Sequence, residues 1–249
     1  MNRILLQPDE IFEQQVVLRD ERARHIRRVL RKKLGERVRI GVVNGPTGQG
    51  MIQALEPQVT LEVDWDDNTH ASERPAVNLL LALPRPKVLK RLWAQLAALG
   101  VDQIFLTNAE KVERCYFDSH VLEEHFIERH LLEGLQQCGE TALPRVSVQR
   151  RLKVFLEDIL GPPQPDTIRL LAHPGAERRV SDAVEERDGT RRILLAVGPE
   201  GGWTDYECDL LMRHGFCPVA SGSRILRTDT ACISLIALAH DALRSHTDQ

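Results

Sequence analysis

The chain has 249 residues, 42% of them hydrophobic and 28% charged, with a formal net charge of −3. That length and apolar content support one large or two modest globular domains, and the near-neutral balance excludes a chain that holds nucleic acid by bulk positive charge alone. The five cysteines, Cys115, Cys138, Cys208, Cys217 and Cys232, are odd in number and never form a CxxC arrangement, which argues against a disulfide scaffold or structural zinc and for a reducing compartment. The amino terminus lacks the apolar core of a signal peptide, and no apolar run approaches the ~18 residues of a membrane span. A cytoplasmic protein is expected, with no membrane contact and no metal.

The first part of the chain has short elements. Gln15 to Leu18 predicts a strand, Asp20 to Leu30 a helix and Arg37 to Val43 a strand. Asn44-Gly45 begins a tight turn, Gly50 to Leu55 returns as the partner strand, and Val59 to Val63 follows. Together they predict a small β-rich, barrel-like domain over residues 1–70. The local charge there is strongly positive: between Arg22 and Arg39 the chain carries seven arginines and two lysines against a lone Glu36. His25, Arg28 and Arg31 recur at helical spacing, while Ile26, Val29 and Leu30 can face inward. Such a face suits backbone phosphates; a solvated basic helix is the alternative. The polar, acidic stretch from Trp65 to Arg74 reads as a linker.

A second domain is expected over residues 75–249. Ala76 to Leu83 is a continuous apolar strand, Pro84-Arg85-Pro86 a rigid loop, Lys87 to Leu99 a helix stopped by Gly100, and Val101 to Thr107 the next strand. This βαβ order predicts an α/β domain whose sheet is at least partly parallel. A polar stretch holding Lys111, Arg114 and Cys115 precedes a long helix from about Ser119 to Cys138. A short strand at Val146–Val148 and a helix from Arg151 to Leu160 lead to the break at Gly161-Pro162-Pro163. Ile168 to Ala172 is a strand entering His173-Pro174-Gly175, and a charged excursion from Glu177 to Arg192 follows.

The stretch from Ile193 to Ala231 carries the strongest signal. An apolar strand, Ile193 to Val197, runs into Gly198-Pro199-Glu200-Gly201-Gly202, and Thr204 with Glu207 forms a capping box that starts a helix at about Asp205, ending near Gly215. Phe216 to Ala220 is another short strand, broken by Ser221-Gly222-Ser223, and Arg224 to Thr230 leads into an apolar helix over residues 230–243. Loops between strand carboxyl ends and helix amino ends are where open α/β sheets place ligands. The chain has no GxGxxG after its first strand, no GxxxxGK[ST], no GxSxG and no HExxH. Glu200 would repel a polyphosphate, so a cationic or neutral ligand suits its loop better.

GPEGG, the segment SRILRTDTA, the upstream His173-Pro174, and HIRRVLR at His25 to Arg31 followed by Gly35-Glu36 resemble the RsmE family, which methylates N3 of a uridine in small-subunit ribosomal RNA. The resemblance covers nearly the whole chain. It implies a PUA-like β-barrel followed by a SPOUT α/β methyltransferase domain with a carboxyl-terminal trefoil knot, working as a homodimer with S-adenosylmethionine on 16S rRNA or the small ribosomal subunit. The cofactor loops it implies hold Ala172, His173 and Pro174; Gly198, Pro199, Glu200, Gly201 and Gly202; and Ser221, Gly222, Ile225, Leu226 and Arg227.

Several positions depart from the family pattern. Lys87-Val88 stands where members have lysine-glycine, Ala98 where a glutamate precedes leucine-glycine, Leu135-Gln136-Gln137-Cys138-Gly139-Glu140, with no arginine beside it, where a glutamate-glutamine, then arginine pattern is usual, and Asp229 where the family has glutamate. Most of these are substrate-side positions, whereas the cofactor motifs are kept.

A uridine N3 carries a proton with a pKa on the order of 9, so methylation there needs a base or positive groups that stabilise the developing anion. Asp229 is the candidate base or the residue that orients it, with Glu200 as its rival and a helix-capping role as the alternative for Asp229. Arg227 or Arg224 would stabilise charge on the uracil oxygens. Arg24, Arg27, Arg28, Arg31, Lys87 and Arg114 are candidate RNA contacts. The other readings are an RNA- or ribosome-associated cofactor binder without turnover, a methyltransferase for another RNA base, and a generic α/β cofactor-binding domain.

Overall fold

The computed structural model describes residues 3–66 and 74–247, so all but the ends of the expected linker lies outside the described residues. The chain forms two compact units, one of Met1–Arg74 with Leu132–Leu143 and the other of Pro75–Leu131 with Pro144–Gln249.

The first unit is built on six strands, β1 (Ile4–Leu6), β2 (Ile11–Phe12), β3 (Gln15–Leu18), β4 (Arg37–Val42), β5 (Thr47–Ala54) and β6 (Val59–Trp65). Their order in the sheet is β1-β4-β5-β6-β3-β2, with β1 parallel to β4 and every other pair antiparallel. Alternating apolar positions turn Val16, Leu18, Val38, Ile40, Ile52 and Leu61 into one core, as period two requires. At the β4–β5 turn Asn44 adopts a φ of 57°. It is held by Thr141, whose carbonyl accepts from Asn44 N at 2.8 Å and whose hydroxyl donates to the Gly45 carbonyl at 2.8 Å.

Helix α1 (Glu21–Arg28) is capped by Asp20, which accepts from Arg22 N. It ends two residues sooner than the apolar spacing predicts. The chain turns out of the helix and Arg31 takes a φ of 50°, leaving Val29 66% and Leu30 37% exposed. Only Ile26 of the three expected inward residues is buried. The β1 and β2 strands are too short to give a periodic signal.

The second unit carries six parallel strands in the order β12-β10-β11-β7-β8-β9. They are β7 (Val77–Ala82), β8 (Val101–Thr107), β9 (Arg145–Gln149), β10 (Thr167–Ala172), β11 (Arg192–Val197) and β12 (Phe216–Val219). Their continuous apolar runs are those of strands covered on both faces: Leu79, Leu80, Leu81, Leu195 and Ala196 are fully buried. Pro86 opens α2 (Pro86–Ala98) at its first turn, and Gly100, with a φ of 79°, ends it.

The remaining helices are α3 (Glu124–Cys138), α4 (Leu152–Val154), α5 (Val180–Glu185), α6 (Asp205–Arg213) and α7 (Thr228–Thr247). Two expectations are corrected. The helix expected from Ser119 begins at Glu124, because 3-10 turns at Arg114–Asp118 and His120–Leu122 occupy the approach. The helix expected over Arg151–Leu160 is α-helical only in α4 and continues as a π-helix over Phe155–Ile159. The charged excursion conceals α5, whose Val180, Ala183 and Val184 are buried.

After β12 the chain returns across the sheet's carboxyl edge. Ala220 N donates to the Arg178 carbonyl after β10, and Thr228 Oγ1 to the Gly198 carbonyl after β11. Residues 220–228 therefore lead from the segment after β10 to the loop after β11. Beyond it, α7 packs on α5, α2, β11 and β7. Of its leucines only Leu238, 40% exposed, stands out.

Candidate functional site

Each of the three last parallel strands ends in a loop at the same edge, and these loops with the first turns of α7 enclose a cavity of about 270 Å³. All of the expected cofactor positions after β10, β11 and β12 line it except Arg227. Val219, Ala220, Arg224, Thr228, Ala231 and Leu235 line it as well. The helix α7 residues among them, at positions 228, 231 and 235, follow helical spacing on one face, a pattern that reads from sequence only as core.

The loop after β11 is the most constrained wall. Gly202 has a φ of 69°, a region that side chains rarely adopt. At Gly198 a Cβ would lie 3.1 Å from the Trp203 ring. Trp203 is 9% exposed, and its indole Nε1 has no hydrogen-bond partner among the described residues. The capping box is present: Thr204 Oγ1 accepts from Glu207 N at 3.3 Å and Glu207 Oε2 accepts from Thr204 N at 2.8 Å. Glu207 is buried and does more than cap, since Oε1 also accepts from Glu110 N at 2.8 Å and fixes the segment after β8.

Glu200 lines the cavity, and its Oε1 accepts from Arg85 N at 3.1 Å. Lys111 lies across Gly201, donating from Nζ to the Gly201 carbonyl at 2.8 Å. The loops after β7, β8 and β11 are thus stitched together by bonds between residues about a hundred positions apart, which no local sequence pattern announces. His173 is exposed at the rim; its Nδ1 accepts from Gly175 N at 3.2 Å, within its own turn.

The remaining candidates lie outside the cavity lining. Arg227 is exposed beside it. Asp229, in the first turn of α7, has Oδ2 3.0 Å from Nη2 of Arg91 and Oδ1 2.9 Å from Thr230 N. One turn further, Cys232 is fully buried, and burial, with the nearby Asp229 carboxylate, pushes its thiol up to about 12. Lys87 and Arg114 are exposed on the same unit, on α2 and at the start of the turn after β8.

In the first unit, Arg28 and Arg31 are exposed, but Arg31 lies beyond the end of α1, so the expected helical face is interrupted. Arg24 is paired with Glu21, and Arg27 with Glu56 at 2.9 Å. Among the described residues no group of three or more His, Cys, Asp or Glu side chains could hold a metal ion, and no helix is long and apolar enough to cross a membrane.

The cavity fits a nucleoside-bearing cofactor. Glycines at 198, 201, 202 and 222 leave main-chain groups open, Val219, Ile225, Leu226 and Leu235 supply apolar surface, and the buried indole N–H has no partner among the described residues. A concave, largely apolar site with a few convergent polar groups is the usual form of a small-molecule pocket.

Comparison with known proteins defines the class. Residues 72–240 match the RNA methyltransferase domain, and residues 18–63 the RNA methyltransferase PUA domain. The chain is 30% identical over 254 residues to ribosomal RNA small subunit methyltransferase E of Treponema pallidum, covering 96% of this chain and 92% of that protein. It is 26% identical to ribosomal RNA small subunit methyltransferase E 1 of Borreliella burgdorferi, covering 94% and 95%.

Its fold is similar to that of the Neisseria gonorrhoeae ribosomal RNA small subunit methyltransferase E, a structure bound to S-adenosyl methionine, with a TM-score of 0.77 at 24% identity and 97% of both chains covered. A Legionella pneumophila protein solved with bound SAM superposes with a TM-score of 0.72 at 23% identity, again over 97% of both chains. The fold is the α/β SPOUT type with a PUA-like amino-terminal unit. The chain belongs to the ribosomal RNA small subunit methyltransferase E (RsmE) family of RNA methyltransferases.

Proposed function

We propose that the protein transfers the methyl group of S-adenosylmethionine to N3 of a uridine in 16S ribosomal RNA. The observation that carries this reading is the cavity itself: three glycine-rich or apolar loops of a SPOUT-type sheet and the inner face of α7 converge on one concave site. When bound there, the cofactor supplies an electrophilic sulfonium methyl. The chain's residues hold and orient, so that nucleophile, carbon and sulfur lie in line. Ile225, Leu226 and Leu235 would pack against the adenine, and the main chain around residues 198–202 would bond its polar edges.

The uracil N3 proton must leave before or during transfer. Glu200 is the carboxylate on the cavity wall, oriented by Arg85 N, and is the better-placed proton acceptor. Asp229 is engaged by Arg91 and lies behind the lining residue Thr228, so its part is to fix the start of α7. Arg224, on the lining, and Arg227, exposed next to it, would stabilise negative charge on the uracil oxygens. Arg24, Arg27, Arg28 and Arg31 on one unit and Lys87 and Arg114 on the other would contact RNA phosphates. Homodimer formation and a cytoplasmic location complete the reading and rest on the family.

The test is transfer of labelled methyl to small ribosomal subunits lacking native methylation, run beside calorimetric titration of the cofactor. Wild-type protein should bind S-adenosylmethionine and label the subunit RNA. Leu226→Glu, which puts a carboxylate in the apolar wall, should lose both while remaining folded. Cofactor binding without label on any RNA would favour the binder without turnover, and binding unchanged in Leu226→Glu would remove the cavity from the account.

A further inference from the structure

Beside the cofactor cavity, on the side of β7 and β8, the structure carries a second cluster that the cavity does not use. Arg85, Lys87, Lys111 and Arg114 are all exposed there. Of the acids among them only Glu207 is buried, and Glu110, Glu113 and Glu200 are exposed. Glu200 accepts from Arg85 N, Glu207 from Thr204 and from Glu110 N, and Glu113 from the Tyr116 hydroxyl at 3.0 Å. Lys111 Nζ is held on the Gly201 carbonyl, so Arg85, Lys87 and Arg114 are the exposed cations that can meet an anionic chain, with Glu200 and Glu113 beside them already accepting bonds from Arg85 N and the Tyr116 hydroxyl.

Tyr116 is half-buried in the 3-10 turn after β8 that Arg114 opens, and the Arg85 side chain reaches its hydroxyl. The cluster is joined to the cavity wall at two points: Arg85 N on Glu200, and Lys111 Nζ on the Gly201 carbonyl. An aromatic ring held at its hydroxyl and flanked by cations has the chemistry of a nucleotide platform, with a ring face for a base and positive groups for its phosphates.

We propose that Tyr116 and Arg85 form the contact for the RNA strand at the methylation site, Tyr116 stacking on a base and Arg85 holding a phosphate or a uracil oxygen. This rests on the reading of the cavity as the cofactor site. The bond from Arg85 to Glu200 is a main-chain one, so Arg85→Ala removes the guanidinium while keeping the N–H that orients the carboxylate. The ring acts through its face, so Tyr116→Phe should keep what Tyr116→Ala removes.

The experiment measures KM for small-subunit RNA, cofactor affinity and melting temperature for wild type, Tyr116→Ala, Tyr116→Phe and Arg85→Ala. Tyr116→Ala should raise the RNA KM about tenfold or more, and Tyr116→Phe less than about threefold. Arg85→Ala should weaken RNA binding and reduce the salt dependence by about one phosphate contact. Cofactor affinity should stay unchanged in all three. An RNA KM equal to wild type in Tyr116→Ala would overturn the proposal, and so would a fall in melting temperature and cofactor affinity that accounts for the loss. If wild-type protein itself transfers no methyl, the functional reading fails separately. RNA affinity of the S-adenosylhomocysteine-loaded variants then decides on Tyr116 with the same expected ratios.

Discussion

Glu200 and Asp229 show how a carboxylate's surroundings set what it can do. Both belong to motifs of the cofactor loops, but only Glu200 lines the cavity, whereas Asp229 faces Arg91 across 3.0 Å. Glu200→Gln should lower the rate of methyl transfer by about 10²-fold or more, with cofactor affinity nearly unchanged, as loss of a proton acceptor does. Asp229→Asn should leave turnover within a few-fold and cost about 0.5 kcal/mol of stability, because Arg91 is more than half exposed and solvent screens the pair. Rate and thermal melt measured on both variants distinguish the two carboxylates, and the reverse ranking would return Asp229 to the role of base. A third residue, Gly198, meets Trp203 so closely that Gly198→Ala should push the ring and weaken cofactor binding several-fold in a calorimetric titration. The glycine loops were legible in the sequence because a backbone need is local. The partners Arg85 and Arg91 were not, because they lie 115 and 138 residues from the carboxylates they reach.

Among the elements, the helix ends carry the stability arguments. Arg169 on β10 is 4% exposed and donates to the His214 carbonyl at the end of α6 and to the Gly161 carbonyl beyond the π-helix, both at 2.8 Å. Burial, with Arg187 nearby, lowers its pKa, yet the two carbonyl ends complement its charge. Arg169→Met leaves both carbonyls unsatisfied and should cost about 2–4 kcal/mol in a denaturant titration without changing cofactor affinity. A loss below ~1 kcal/mol would mean that water replaces the bonds.

Helix α7 is tied to the end of α2 by His240, whose Nε2 donates to the Gly100 carbonyl at 2.9 Å. Burial holds this imidazole below its ordinary pKa, with Arg244 adding to the shift. The unfolded chain therefore takes up the proton first. The stabilising contribution is complete above pH ~6.5 and is lost as pH falls from there through the lowered folded value. His240→Gln should flatten that acid limb in melts from pH 7 to pH 5, and an unchanged slope would assign the limb to other groups. Capping signals and strand order were legible, since Thr204 with Glu207 and the apolar runs are local or periodic. The π-helix, the 3-10 approach to α3 and the six residues of α5 carry no period long enough to read.

At the scale of the whole molecule, the central relation is between a sheet edge and the returning carboxyl-terminal segment. Residues 220–228 connect the segment after β10 to the loop after β11, and α7 completes the cavity. Periodicity alone gives the parallel sheet but not this return. Its recognition came from motifs such as GPEGG and SRILRTDTA, and the family comparison placed the chain among RNA methyltransferases. A homodimer is expected from the family, and light scattering should report about twice the 28.2 kDa of one chain. A monomer at micromolar concentration would remove the dimer from the account.

The most direct measurement is the identity and position of the product nucleoside. Small subunits lacking native methylation are incubated with the protein and methyl-labelled S-adenosylmethionine, the 16S RNA is digested, and the labelled nucleoside is resolved by mass spectrometry and mapped. The account predicts 3-methyluridine at one position, lost with Glu200→Gln. Label at another base or another atom of uracil, or no label from a protein that binds the cofactor, would contradict it.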